Sequence, residues 1–272
     1  MKLLDYPLVF LHIPKTAGTT LHKVISHQYR PSQTIIQHDS DNVSADDTLK
    51  RLGGRGGLVM GHLSARFHQN NSSVRYLTCL RQPVARLRSH YEHAKNDPSH
   101  YLHKLAISSS LGEYAQSGAS GELSNGMVRM LSGIDDFHAA DIDESTLDRA
   151  KEVLETRVVL PCLTEEFDQS LLLLADKLGW RRPFYLSRKR GKYREYVVAP
   201  EDRTAIERMN ALDSQLFEFA RGLLDQQLGS LHGSLDRRLS SFKWANRSIG
   251  RPLFLCRELR RRASQWLGHS PA

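Results

Sequence analysis

The stretch from residue 8 to residue 29, LVFLHIPKTAGTTLHKVISHQY, restricts the fold more than any other part of the chain. Leu8, Val9, Phe10, Leu11 and Ile13 form an apolar run with β-branched and aromatic members, the pattern of a strand buried on both faces. The run stops at Pro14. From Leu21 the apolar positions change period to Leu21, Val24, Ile25 and Tyr29, one face of a helix. Between strand and helix lie Lys15, Thr16, Ala17, Gly18, Thr19 and Thr20. Backbone N–H groups at a helix N-terminus, one lysine and three hydroxyls can surround a phosphate there. The plain alternative is a strand-to-helix turn with an incidental lysine.

Further strands follow at Leu58–Met60, ending in Gly61-His62, at Val74–Leu80, ending at Arg81, and at Val158–Leu160, with Ile35 and Ile36 as a short extended piece. Helical patterns separate them, which implies right-handed crossovers and a parallel sheet with ligands at the carboxyl ends of its strands. Pro14, His62 and Arg81 all fall at such ends. Later in the chain, helices are expected from about Ser145 to Glu155, from Thr164 as N-cap to Leu178 before Gly179, and as one long element from Pro200 to Leu228. The expected fold class is α/β, with a central parallel sheet flanked by helices and a basic helical C-terminal extension.

The loop is not a Walker A sequence, because Lys15 precedes the glycine instead of following it. The pattern H-x-P-K-T-A-G-T-T instead resembles the 5′-phosphosulfate loop of sulfotransferases that use 3′-phosphoadenosine 5′-phosphosulfate (PAPS), in particular the carbohydrate and heparan-type enzymes. That resemblance implies a P-loop-type sheet. It has Lys15 touch the bridging oxygen and phosphate of the leaving group, with Thr16 in the same loop, and has Gly18, Thr19 and Thr20 donate to the 5′-phosphate. Residues 81 to 91, RQPVARLRSHY, are similar to the 3′-phosphate motif of the same enzymes, with Gln82 where an aspartate is common. Arg81 and Ser89 are then the 3′-phosphate ligands, and Arg86 and Arg88, on other helix faces, read as solvated charges.

His62 stands where the related carbohydrate enzymes place a catalytic histidine, which makes it the candidate base; a substrate contact and a structural role are the alternatives. His12 is read as orienting the loop or packing. The segment NGMVRMLSG looks like a family signature, whose Asn125 and Arg129 share a helical face. They are candidate contacts to acceptor or nucleotide, with a helix-stabilising polar pair as the other reading. LTEEFDQSLLLLADKLGW and MNALDSQLFEFA extend the likeness over roughly residues 8 to 225. What it implies is transfer of the sulfuryl group of PAPS to a hydroxyl of a carbohydrate or glycolipid acceptor, with no metal. A nucleotide kinase or ATPase would need a Mg²⁺-holding aspartate and the usual glycine-lysine order. A non-catalytic sugar- or nucleotide-binding module is the rival from another class.

With 40% hydrophobic residues, 272 residues can bury a full core. Residues 228–272 hold nine Arg or Lys and two acids, so +7 of the net +8 lies in this extension and nucleic-acid binding does not follow from the total. A domain over residues 1–227 and a basic amphipathic extension over 228–272 are expected. The extension can lie on an anionic membrane or dock on the body. Three dispersed cysteines give neither a disulfide framework nor metal-ligand spacing. Asp5 and Pro7 interrupt any signal-peptide core, and no apolar run reaches membrane-spanning length, so a cytoplasmic protein, peripheral at most on the inner membrane face, is expected. Arg188, Lys189, Arg190, Lys192 and Arg194 form a basic loop suited to the 3′-phosphate, to an acidic acceptor, or to plain solvation.

Overall fold

The computed structural model describes residues 5–37, 43–53, 56–69, 71–134, 141–186, 197–229, 235–250, 252–256 and 259. The basic loop 188–194 and most of the chain beyond 256 lie outside the described residues. Five parallel strands form one sheet in the order β2 (Thr34–Ile36), β3 (Gly57–Gly61), β1 (Pro7–Leu11), β4 (Arg75–Leu80), β5 (Val158–Leu163). Helices flank it, so the α/β reading holds. Leu8, Val9, Phe10 and Leu11 are completely buried. At about 1.5–3 kcal/mol for each large side chain, this burial makes β1 the anchor of the sheet.

β1 pairs with β3 on one side and with β4 on the other. The two halves of the sheet diverge from it, and a crevice opens beyond the carboxyl ends of the strands at such a point. β5 is an edge strand, which is why it tolerates Pro161, a residue with no N–H for a ladder. Ile35 and Ile36 complete β2 at the opposite edge.

α1 (Gly18–Ser26) buries Leu21, Val24 and Ile25, as the spacing requires. α2 (Ala45–Arg51) is capped by Ser44. α3 (Pro83–Asn96) starts with Pro83 in its first turn, while the Gln82 side chain accepts from the Ala85 N–H at 2.9 Å. α4 (His103–Ser108) and α5 (Leu111–Gln116) follow, the latter closed by a Ser110/Glu113 capping box. After α6 (Gly126–Leu131) and α7 (Glu144–Thr156) the chain enters β5 and then α8 (Phe167–Leu178). Thr164 does not cap α8. Its N–H and hydroxyl both donate to the Leu80 carbonyl, at 2.9 and 3.0 Å, and prolong the β4–β5 contact.

The long C-terminal helix is two helices, α9 (Pro200–Met209) and α10 (Ala211–Gly229), because Asn210 leaves helical geometry (φ −125°, ψ 36°). Its side chain donates to the Leu123 and Ile206 carbonyls and accepts from the Asn125 N–H. These bonds hold the break, whereas apolar periodicity continues across it. Two buried clusters result. One surrounds the sheet, and the other joins α3, α4, α5 and α9 through Leu87, Tyr91, Ala106, Tyr114 and Ile206.

The described part of the extension packs on the body. α11 (Leu235–Ala245) buries Phe242, and Arg238 pairs with Asp176 of α8 at 2.6 Å. A wide turn over Asn246–Gly250 and the segment 252–256 follow, with Phe254 only 2% exposed. Among the described residues no helix is long and apolar enough to cross a membrane.

Candidate functional site

A cavity of about 950 Å³ lies beyond the carboxyl ends of the strands, where the sheet meets α3. Lys15, Ala17, Gly18, Thr19 and Thr20 form one wall. Lys15 (φ 68°) and Ala17 (φ 62°) both have left-handed backbone without being glycine, and Thr16 between them does not. This alternation turns successive N–H groups to one side. At about 1–3 kcal/mol for each residue, such strain persists only where the surroundings enforce it, and it is typical of ligand cradles. α1 starts at Gly18 with no side-chain cap; the Thr20 and Leu21 N–H groups donate to the Ala17 carbonyl at 2.9 and 3.1 Å, and the N–H groups of Gly18 and Thr19 precede the helix's own bonds. Thr16 is the exception among the expected loop ligands. Its side chain is fully buried and donates to the Ile13 carbonyl at 2.9 Å, so it braces the turn and has only its backbone to offer.

Arg81 extends from the end of β4 and donates to the Lys15 carbonyl at 3.2 Å, joining the loop to the third motif. Its Nε is buried without a hydrogen-bond partner among the described residues. Burial lowers its pKa, with Glu165 opposing the effect. A cation with an unused buried donor beside a cradle of N–H groups suits an anionic ligand. Ser89 lines the cavity one helix face away. Arg88, half-buried, also lines it, whereas Arg86 is 1% exposed and so is not a solvated charge.

His62, exposed at the end of β3, lies flat on His12, with ring centroids 4.5 Å apart and planes at 23°. His12 in turn occupies the space where a Cβ on Gly18 would collide with its ring. Gly18 is therefore required by the histidine behind it as well as by any ligand in front. Burial, then the neighbouring His62, His22 and Lys15, push the His12 pKa down to about 3, so it packs as a neutral ring. Gly61 is needed for a similar reason, because a Cβ there would overlap the Gln37 carbonyl.

The opposite wall holds groups the sequence motifs did not mark. Glu122 accepts from or shares a proton with His90 Nε2 at 2.8 Å, and His90 Nδ1 meets the Tyr114 hydroxyl at 2.9 Å. Burial works to raise the Glu122 pKa, but the hydrogen bond and charge of His90, with Arg86 and His62, outweigh it and keep the carboxylate low. His100 packs edge-on to His90 at 5.3 Å and stacks on Tyr101 at 4.8 Å. Of these, His90 had a local signal, since it follows Ser89 on α3. Glu122 had none, because it reaches His90 from 32 residues away.

Asn125 and Arg129 are not among the residues of the cavity wall, and their contacts favour the helix-stabilising reading over contact with acceptor or nucleotide. Asn125 (φ 50°) precedes α6, donates its N–H to Asn210 and accepts from the Asp213 N–H, both at 3.0 Å. Arg129 is 8% exposed and its Nε donates to the Ser124 carbonyl at 3.1 Å. Asn125 ties the start of α6 to α10, and Arg129 braces the turn that leads into α6. No three His, Cys, Asp or Glu side chains among the described residues are arranged to hold a metal ion. Searches of family models and of curated proteins found no match to the chain.

Proposed function

We propose that this chain is a sulfotransferase that moves the sulfuryl group of PAPS to a hydroxyl of a carbohydrate or glycolipid. The observation that carries the reading is that Lys15, the N-terminus of α1, Arg81, Ser89 and His62 line one cavity at the carboxyl edge of the sheet. Their sequence motifs resemble those of PAPS-dependent enzymes, and the strand order, with β1 between β3 and β4, supports a P-loop-type arrangement. The unpartnered Arg81 Nε and the cradle at Gly18 suit a ligand with phosphate at both ends.

In the reaction the acceptor oxygen bonds to sulfur as the bond from sulfur to the 5′-phosphate oxygen breaks. His62 takes the proton of the attacking hydroxyl, a task to which imidazole is suited near neutral pH. Lys15 and the first-turn N–H groups of α1 meet the charge that grows on the departing phosphate. Arg81 and Ser89 hold the far end of the donor, so reactants meet in one orientation. The products are a sulfate ester and adenosine 3′,5′-bisphosphate.

The test is transfer of radiolabelled sulfate from PAPS to a panel of polysaccharides and glycolipids, together with calorimetry of adenosine 3′,5′-bisphosphate and ATP. Label transfer and preference for the bisphosphate support the reading. Preference for ATP with Mg²⁺ would turn it toward a kinase. For the extension, exposed Trp244, Ile249 and Leu255 near Lys243 and Arg247 support contact with anionic membrane, and co-sedimentation with phosphatidylserine vesicles tests it.

A further inference from the structure

The likeness to sulfotransferases ends near residue 225, but the cavity does not, since Phe254 forms part of its wall. Beside the phosphate cradle, on the side of α1 and α8, the wall becomes apolar through Phe167, Tyr185, Leu186 and Phe254. A nucleoside bisphosphate has the same two parts, an anionic ribose and a planar ring.

The extension holds this apolar end in place. The Tyr185 N–H donates to the Asn246 side-chain carbonyl at 2.9 Å, and the Tyr185 hydroxyl donates to Asp168 at 2.6 Å. The ring of Tyr185 is thereby fixed edge-on to Phe167, with centroids 5.1 Å apart. Gly250 packs so closely on Phe184 that a Cβ would lie 2.8 Å from its ring, and Phe184 stacks on Phe242 at 6.2 Å. Phe254 meets His27, just after α1, edge-on at 4.9 Å and lies 5.8 Å from the Lys23 ammonium. Phe254 lines this end of the cavity although only 2% of its surface is exposed.

We propose that residues 242–250 and 252–254 are a working part of the donor site. They fix Tyr185 and Lys23 around the base of the nucleotide, so that docking of the extension and binding of an adenine nucleotide favour each other. The identity of the nucleotide rests on the sulfotransferase reading, whereas the coupling rests on the contacts themselves. Coupling of this kind is reciprocal: whatever affinity the docked extension adds to the nucleotide, the nucleotide returns to the docked extension.

The experiment uses the full chain with adenosine 3′,5′-bisphosphate as probe. Calorimetry of Phe254→Ala is expected to show affinity lowered about tenfold, in the range of losing contact with one nucleobase, and Asn246→Ala, which acts only through Tyr185, a smaller loss of about threefold. In the unaltered protein, hydrogen exchange over 242–254 is expected to slow on adding the bisphosphate and to respond far less to pyrophosphate, which has no base. The exchange measurement needs no variant, so a substitution that fails to fold does not decide the matter. Wild-type affinity in both variants, or exchange over 242–254 indifferent to the bisphosphate, overturns the coupling alone. No binding of the bisphosphate to the unaltered protein overturns the sulfotransferase reading as well.

Discussion

The two long walls of the cavity are held by different means. On the β1–α1 side the shape is made by backbone, with two left-handed residues, a bare helix N-terminus and a neutral ring packed behind a glycine. On the α3 side it is made by buried polar side chains. Arg86 donates to the Glu122 carbonyl at 2.7 Å and lies 3.6 Å from Asp213, whose oxygens accept from the Met127 and Val128 N–H groups. Burial raises the Asp213 pKa even though Arg86 and those N–H groups oppose it. The first wall can lose a side chain and keep its form. The second consists of charges that exclude water only while all partners are present.

The largest effect is therefore expected far from the reacting groups. Arg86→Ala strands Asp213 without its counter-charge and is expected to cost about 3–5 kcal/mol in urea unfolding. An unchanged midpoint would erase the distinction between the walls. Next, Lys15→Ala and His62→Ala are each expected to lower kcat by about a hundredfold or more with little change in unfolding. Full turnover in purified His62→Ala removes it from the base role. Lys15→Gly sharpens the contrast, because glycine accepts φ 68° without strain. It is expected to raise stability by up to about 1 kcal/mol while turnover is lost.

A smaller effect follows from His12. The unfolded chain takes up a proton on this residue below about 6.5, whereas the folded chain does so only near a pKa of about 3. The unfolded state thus binds more protons between these values, so the stability is complete above pH 6.5 and is lost as the pH falls. Between pH 6 and 5 the loss is expected to be about 1 kcal/mol, and His12→Asn should flatten that slope in thermal unfolding. Smallest is Arg238→Ala, which removes a half-exposed pair with Asp176. Its expected cost is below about 1 kcal/mol and fades with added salt.

Legibility in the sequence follows the same division. Strand, loop and first helix occupy one continuous stretch, so period and turn chemistry reveal them together, and the ends of β3 and β4 carry His62 and Arg81 as local signals. The α3 wall is assembled from distant residues. The carboxylate of Asp213 reaches the Val128 N–H across 85 residues, and nothing near Arg86 distinguishes it from a solvated arginine. For Asn125 and Arg129 the sequence leaves two readings open, because polar residues on one helical face look alike whether they meet a substrate or a neighbouring helix. The division at Asn210 was hidden because the apolar stripe passes through it. Only the bonds to Leu123, Ile206 and Asn125 explain why the helix stops.

The imidazole pair of His12 and His62 has a consequence for timing. Since the edge of the His12 ring rests against the loop at Gly18 and His62 stacks on one of its faces, a shift of the loop reaches His62 through only two contacts. If the chain is a sulfotransferase as proposed, a donor seated in the loop would therefore set the attitude of His62 toward the second substrate. Steady-state kinetics should reveal compulsory sequence, donor first, with the spent bisphosphate leaving last.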